Sequence, residues 1–115
     1  MKHRASCHCG RVALEVEGEI ESGLVCNCSM CQRRGSILWF VPRQAMTLLT
    51  PLENAQVYEF NRHVIRHHFC KTCGILPFAF GVDPKGNEMA AINLRCVEGL
   101  DLDKVSLQHF DGRSM

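Results

Sequence analysis

Seven of the eight cysteines in this chain fall into three short clusters whose spacing is typical of metal ligands. In chain order the clusters comprise Cys7 and Cys9; Cys26, Cys28 and Cys31; and Cys70 and Cys73. Zn²⁺ is bound by four thiolates in a closed structural site, and by three protein ligands plus one exchangeable position in a catalytic site. Seven clustered cysteines divide into four plus three, and they predict two zinc ions per chain, one structural and one able to take part in chemistry.

The local spacing explains how two sulfurs of one cluster can face one ion. A tight turn in Cys70-Lys71-Thr72-Cys73 brings both sulfurs to one side, and Gly74 permits the positive φ that such a turn needs. In Cys-x-Cys we expect extended chain, in which residues i and i+2 point the same way. The middle residue, such as His8, then turns away from the ion, and Gly10 can end the strand.

Two partitions of the cysteines are compatible with the spacing. In one, the first and third clusters form a four-cysteine site, and the second cluster forms a three-cysteine site by itself. In the other, Cys28, Cys31, Cys70 and Cys73 form a ribbon-like four-cysteine site, which leaves Cys7, Cys9 and Cys26. We favour the first, because Cys26, Cys28 and Cys31 lie within six residues and can surround one ion without help from elsewhere.

The beginning of the sequence and its charge restrict the compartment and the partners. Lys2, His3 and Arg4 are followed by polar residues, and no apolar stretch of a signal peptide comes next. We therefore expect a cytoplasmic protein whose thiols stay reduced, which favours metal ligands over disulfides. A net charge of +1 gives no reason to expect nucleic acid as a partner, and apolar runs such as 37–42 are too short to span a membrane.

The elements that must position the cysteines are predicted to be β-strands. The chain of 115 residues is 46% hydrophobic, which suits a single domain over residues 1–115. We predict roughly eight short strands in a mainly β fold of two or more antiparallel sheets, closed at one end by metal. The expected strands are 11–17, 36–41, 46–49, 56–60, 64–69, 75–80, 88–94 and 105–110. Helical turns are expected only at 29–33 and at 100–104, with Asp101 as N-cap. Trp39 and Phe40 are expected in the core.

The three cysteine motifs together resemble the glutathione-dependent formaldehyde-activating enzyme family, also called the centromere protein V type domain. The motifs are CHCG at 7–10, CNCSMCQRRG at 26–35 and FCKTCG at 69–74. The resemblance implies a tent-like fold of β-sheets held by zinc. It implies that the structural zinc is bound by Cys7, Cys9, Cys70 and Cys73. It implies that the zinc tied to activity is bound by Cys26, Cys28 and Cys31.

The activity implied by the resemblance is a carbon–sulfur lyase reaction, in which glutathione adds to formaldehyde to give S-hydroxymethylglutathione. The expected partner is therefore a small-molecule thiol or thiol adduct. Zinc suits this chemistry, because a zinc-bound thiol ionises at neutral pH and a thiolate attacks carbonyls. Zinc could alternatively polarise the aldehyde oxygen. The other interpretation is a zinc-stabilised protein-binding module, in which both metals are structural and the second has a fourth protein ligand.

A few residues outside the cysteine clusters have two interpretations each. Arg33 and Arg34 could receive the carboxylates of a glutathione-like substrate, or they could be solvated surface residues. His67 and His68 lie on a predicted strand and point to opposite faces, so at most one faces the metal region, and packing is the expected role. Cys96 is interpreted as a small, buried apolar residue, with a redox thiol or a fourth zinc ligand as alternatives.

Overall fold

A computed structural model of the chain describes residues 1–59 and 65–114. Its strands are β1 (Lys2–Ser6), β2 (Ala13–Glu17), β3 (Ser22–Cys26), β4 (Leu38–Pro42), β5 (Met46–Leu48), β6 (Ala55–Tyr58), β7 (Arg66–Cys70), β8 (Phe78–Val82), β9 (Glu88–Asn93) and β10 (Ser106–Phe110). In these ranges α1 (Ser29–Arg34) is the single α-helix, accompanied by short 3₁₀ turns at 43–45, 52–54, 94–96, 102–104 and 112–114. None of the helices described there has both the length and the apolar character needed to cross a membrane.

The strands form two sheets, which confirms the prediction of a mainly β fold. Three strands pair in the order β1-β2-β5, and seven pair in the order β10-β3-β4-β9-β8-β7-β6. The pairs are antiparallel except for β10 and β3, which run parallel with Ser106 opposite Ser22 and Phe110 opposite Cys26. The large sheet is therefore mixed, and its parallel pair joins two distant segments of the chain.

Alternation of apolar and polar residues explains how the strands bury one face. In β2, Leu14 and Val16 are buried, and Glu17 is exposed. In β4 the same alternation buries Trp39 and leaves Phe40 about half exposed. The expectation that both aromatic residues lie in the core is therefore wrong for Phe40, because adjacent residues of a strand face opposite sides of the sheet.

The observed bounds differ from the expected strands in a few places. β1 and β3 were not predicted from the sequence, so the described ranges contain ten strands where roughly eight were expected. The expected ends at residues 60 and 64 lie outside the described residues. The turn near residue 102 is confirmed, and the side chain of Asp101 caps it by accepting from the backbone N–H of Asp103.

Candidate metal centres

Four cysteines from two distant segments of the chain come together in one cluster, which we call the four-cysteine cluster. Cys7 and Cys9 lie just after β1, Cys70 ends β7, and Cys73 lies in the turn after β7. Their four sulfurs all lie within 4.8 Å of one another. The Sγ atoms are 3.7 Å apart between Cys7 and Cys9, and 3.5 Å apart between Cys9 and Cys70. Tetrahedral zinc with Zn–S bonds near 2.3 Å places its sulfurs about 3.8 Å apart, so this arrangement fits such an ion.

Two turns, each closed by glycine, bring these sulfurs to one side. Gly74 has φ of 80°, and its N–H donates to the carbonyl of Cys70, as the Cys-x-x-Cys spacing predicted. Gly10 has φ of 83°, and its N–H donates to the carbonyl of Cys7. The expectation of extended chain through the first motif is therefore wrong, since the Cys7–Gly10 segment closes a turn instead.

Backbone amides around the four-cysteine cluster favour the ionised form of two thiols. The N–H groups of Thr72 and Cys73 donate to Cys70 Sγ at 3.4 and 3.5 Å. Desolvation opposes ionisation of Cys73, but hydrogen bonds from the backbone of Ile75 and Cys9 and from the neighbouring sulfurs together outweigh it and lower its pKa to about 6. At Cys9 the hydrogen bond from the backbone of Arg11 is outweighed by desolvation and by the neighbouring sulfurs, which raise its pKa to about 11. Because close thiols share protons, metal binding here is expected to release them.

The remaining three clustered cysteines surround the beginning of α1 and form what we call the three-cysteine cluster. Cys26 ends β3, Cys28 is the N-cap of α1 with extended φ and ψ, and Cys31 lies in the first turn of the helix. Their sulfurs also lie within 4.8 Å of one another. The structure thus groups the seven sulfurs as four plus three in the way that we favoured from the sequence, with the second cluster separate from the other two. In the part of the chain that the structure describes, no fourth Cys, His, Asp or Glu brings a ligand atom into this group.

Local hydrogen bonds hold the three-cysteine cluster in place. The N–H of Cys28 donates to Cys26 Sγ, and the N–H of Cys31 donates to Cys28 Sγ, both at 3.4 Å. Desolvation works against ionisation of Cys28, yet the N–H of Cys31 and the adjacent sulfurs lower its pKa. Desolvation, followed by the sulfurs of Cys28 and Cys26, raises the pKa of Cys31 to about 12. These contacts therefore favour ionisation at Cys28 over ionisation at Cys31, and a bound cation would favour ionisation of all three thiols.

A cleft of about 550 Å³ is lined by residues of α1 on either side of Cys31, including both arginines that the sequence singled out, but not by the three cysteines themselves. Arg34 is half-buried; its Nη2 donates to Met30 Sδ at 2.8 Å. No carboxylate among the described residues lies within ion-pair distance of Arg34. Desolvation lowers the pKa of Arg34, and the negative charges of Cys31 and Cys28 partly oppose this. Arg33 is exposed and donates to the carbonyl of Ser29.

Met30 was not singled out from the sequence, although it lines the cleft and contacts Arg34. Its position four residues before Arg34 in a helical turn was the available signal, because residues at i and i+4 are neighbours on a helix surface. Tyr58 of β6 also lines the cleft and could not be foreseen. Its place depends on the order of strands in the large sheet.

The two adjacent histidines of β7 are both buried, and neither belongs to a cysteine cluster. His67 Nδ1 lies 3.2 Å from Arg34 Nη1. Because arginine can only donate, Nδ1 must be the acceptor, so the neutral ring carries its proton on Nε2. Desolvation, with Arg34 and His68, lowers the pKa of His67 to about 4. His68 instead stacks on Phe78, with ring centroids 4.8 Å apart.

Cys96 lies beside the four-cysteine cluster but is a member of neither group. It ends the 3₁₀ turn after β9, and its thiol points towards the carbonyl of Leu76 at 3.9 Å. Desolvation raises its pKa to about 11, with smaller contributions from Cys7 and Cys73. This position does not support Cys96 as the fourth ligand of the three-cysteine cluster. It fits the interpretation of Cys96 as a partly buried apolar residue.

Comparison with known proteins identifies the family. A family model of the glutathione-dependent formaldehyde-activating enzyme matches residues 2–109. The chain belongs to this family. The crystal structure of a protein from Rhodobacter sphaeroides is similar to it, with a TM-score of 0.78 and 29% sequence identity. The match covers 91% of this chain and 99% of that chain. The resemblance carried by the three cysteine motifs is thus confirmed, and the fold of this formaldehyde-activating family member agrees with that of a solved structure.

Proposed function

We propose that this chain is a zinc-dependent enzyme of the carbon–sulfur lyase type that acts on glutathione or a related thiol adduct. One observation supports it above the others. The three-cysteine cluster gathers three sulfurs without a fourth protein ligand in the described ranges, and two of them interact electrostatically with Arg34, a half-buried guanidinium that lines a cleft. Three protein ligands with one open position are typical of catalytic zinc. Membership of the formaldehyde-activating family supplies the chemistry that such a site would serve.

The donor sets fit two zinc ions with different roles. We assign the structural ion to Cys7, Cys9, Cys70 and Cys73, because four thiolates make a closed site. We assign the second ion to Cys26, Cys28 and Cys31. We further propose that residues 1–115 are a single zinc-binding β domain and that it works in the cytoplasm, where free thiols persist.

The proposed reaction joins a thiol to an aldehyde and needs no redox partner. The sulfur of glutathione forms a bond to the carbon of formaldehyde, the carbonyl π bond opens onto oxygen, and the thiol proton ends on that oxygen. Zinc, when bound, supplies the positive charge that favours a thiolate at neutral pH. Arg34 attracts the negative groups of the thiol and holds them in the cleft beside Ser29 and Met30. Neutral His67 accepts from Arg34 and so orients the guanidinium.

The test combines binding with exchange. Zinc-loaded protein is titrated with glutathione and with S-methylglutathione, which keeps the carboxylates and blocks the sulfur. Exchange spectroscopy then measures interconversion of formaldehyde and S-hydroxymethylglutathione with and without the protein. We expect glutathione to bind more tightly than its S-methyl derivative and the exchange to become faster. Absence of binding at millimolar glutathione together with unchanged exchange would favour the alternative of a zinc-stabilised binding module.

A further inference from the structure

The short turn formed by residues 111–114 lies directly against the three-cysteine cluster, although it falls outside the 2–109 stretch that defines the family match. It follows β10, whose last residue, Phe110, is opposite Cys26 in the parallel pair. The pairing continues past the strand, because the N–H of Asn27 donates to the carbonyl of Phe110 at 3.2 Å. The 111–114 turn therefore meets the cluster where Cys26 and Cys28 emerge from β3.

Asn27, the middle residue of the Cys26-x-Cys28 motif, binds this turn with both ends of its amide. Its Nδ2 donates to Asp111 Oδ1 at 2.9 Å, and its Oδ1 accepts from the N–H of Arg113 at 2.9 Å. Within the turn, Ser114 Oγ donates to Asp111 Oδ2 at 2.7 Å. Two hydrogen bonds thus join Asn27, which lies between two candidate ligands, to the 111–114 turn, and a third joins it to Phe110 at the end of β10.

The same turn also reaches α1. Arg113 donates from Nη2 to Oε1 of Gln32, the residue directly after Cys31. The turn therefore connects the segment that carries Cys26 and Cys28 with the helix that carries Cys31. Motion of one part relative to the other would change the separation of the sulfurs.

Gly112 makes this close approach possible. A Cβ at position 112 would lie 2.6 Å from Cys26 Sγ and 3.2 Å from Cys28 Cβ, although the backbone of Gly112 is not left-handed. Any side chain there would displace the Cys26 sulfur or the turn. The absence of a side chain is thus a steric requirement of the cluster and not a requirement of backbone conformation.

From these contacts we infer that the 111–114 turn is a wall of the three-cysteine site, and that Asn27 and Gly112 are positioning residues that fix Cys26 and Cys28 at metal-binding separation. This inference rests on the proposed function only in taking the cluster to bind metal. It does not depend on which thiol is the substrate. Removal of a group that orients a metal ligand typically weakens metal affinity 10–100-fold.

Cobalt binding tests the steric part of the inference. The full chain, with zinc at the four-cysteine cluster, is titrated with Co²⁺, and the thiolate-to-cobalt absorption reports filling of the three-cysteine cluster. We expect Gly112→Ala to weaken Co²⁺ binding about 10-fold or more. Gly81→Ala is the matched control, because among the described residues a Cβ at Gly81 would meet Ile65 alone, at 3.6 Å, an ordinary contact. Equal affinity in the two variants would overturn the inference.

Asn27→Ala tests the tether by a substitution that adds no bulk. The matched control is Asn87→Ala, which removes an exposed amide that donates to Asp83 in a distant hairpin. We expect Asn27→Ala to weaken Co²⁺ binding about 10-fold and to shift the cobalt absorption bands, while its melting temperature stays close to that of Asn87→Ala. Unchanged affinity and bands in a folded Asn27→Ala variant would contradict the positioning role.

The design separates failure of this inference from failure of the proposed function. If wild-type protein binds Co²⁺ at the cluster and the two variants lose affinity, the inference stands even when glutathione neither binds nor exchanges. If wild-type protein takes up no second metal, both are overturned.

Discussion

Arg34 Nη1 lies 3.2 Å from Nδ1 of His67, and this contact connects the surroundings of the two cysteine clusters. Arg34 ends α1, the helix that contains Cys31, whereas His67 lies on β7, the strand that ends at Cys70. A buried neutral imidazole thus holds a half-buried cation beside the three-cysteine cluster. The position of that cation is set by the strand that leads into the other cluster.

This relationship predicts that the two arginines of α1 differ in function. Arg34→Gln is expected to weaken glutathione binding about 10-fold or more, because a charge-assisted hydrogen bond contributes roughly 1.5–3 kcal/mol. Arg33→Gln removes the same charge from the same cleft, but that side chain is exposed and donates to Ser29. Calorimetric titration of both variants at low and high salt checks this. Equal weakening in both would mean that only overall charge matters.

The four-cysteine cluster is expected to be required for folding. Cys70 is fully buried, and structural zinc contributes on the order of 10–16 kcal/mol in small zinc peptides, against a usual net stability of roughly 5–15 kcal/mol. Cys70→Ser should therefore give unfolded or insoluble protein. Cys96→Ser is the control, because Cys96 lies nearby without joining the cluster. A soluble Cys70→Ser protein with unchanged circular dichroism and melting would disprove the structural role.

Loss of metal from the three-cysteine cluster is expected to leave the fold intact. Serine is a good N-cap, so Cys28→Ser should preserve the cap of α1 while it removes one thiolate. Zinc content measured by atomic emission should fall by about one ion per chain, with little change in melting temperature. Loss of both ions together with unfolding would show that this site is structural, and would weaken the proposal of an enzyme.

Acid should destabilise the protein partly through His67. Its pKa is lowered to about 4 in the folded state, against 6.5 for an unperturbed histidine, so the unfolded state binds more protons between these values. The contribution of neutral His67 to the stability of the folded protein is complete above pH 6.5 and is lost as the pH falls towards 4. His67→Gln keeps an acceptor for Arg34 but does not titrate.

The measurement is melting temperature at each pH for both proteins, with zinc content followed in parallel. We expect the difference in stability between wild type and His67→Gln to shrink as the pH is lowered from 7 to 4.5. A difference that stays constant over the pH range in which zinc remains bound would refute the assignment.

The sequence predicted the grouping of the cysteines well, because ligand spacing is a local property. Cys26, Cys28 and Cys31 lie within six residues, and Gly74 directly follows Cys73, so the grouping of their sulfurs needed no knowledge of the sheets. The alternation of apolar and polar residues that predicted β2 is likewise a local property of the sequence. In contrast, the Cys7–Gly10 turn was predicted as extended chain, because a Cys-x-Cys spacing is compatible with both conformations.

Features that depend on pairing between distant segments could not be predicted. β1 has the sequence KHRAS, which shows no apolar alternation, and it becomes a strand by pairing with β2. β3 contains Gly23, a poor strand residue, at a position where a Cβ would clash with the side chain of Ile37. Nothing in the sequence near Asn27 indicates that its amide binds Asp111 and Arg113, because that contact depends on the parallel pairing of β3 and β10.

The parallel pairing of β3 with β10 has a consequence for the order of events during synthesis. Asn27 and Asp111 are 84 residues apart, and translation at roughly 5–20 residues per second separates their emergence by about 4–17 seconds. During that interval the thiols of Cys26 and Cys28 are on a nascent chain without their final wall, open to oxidants and to competing metals. The nascent chain is therefore expected to depend on cellular reductant and on the supply of zinc until translation is finished.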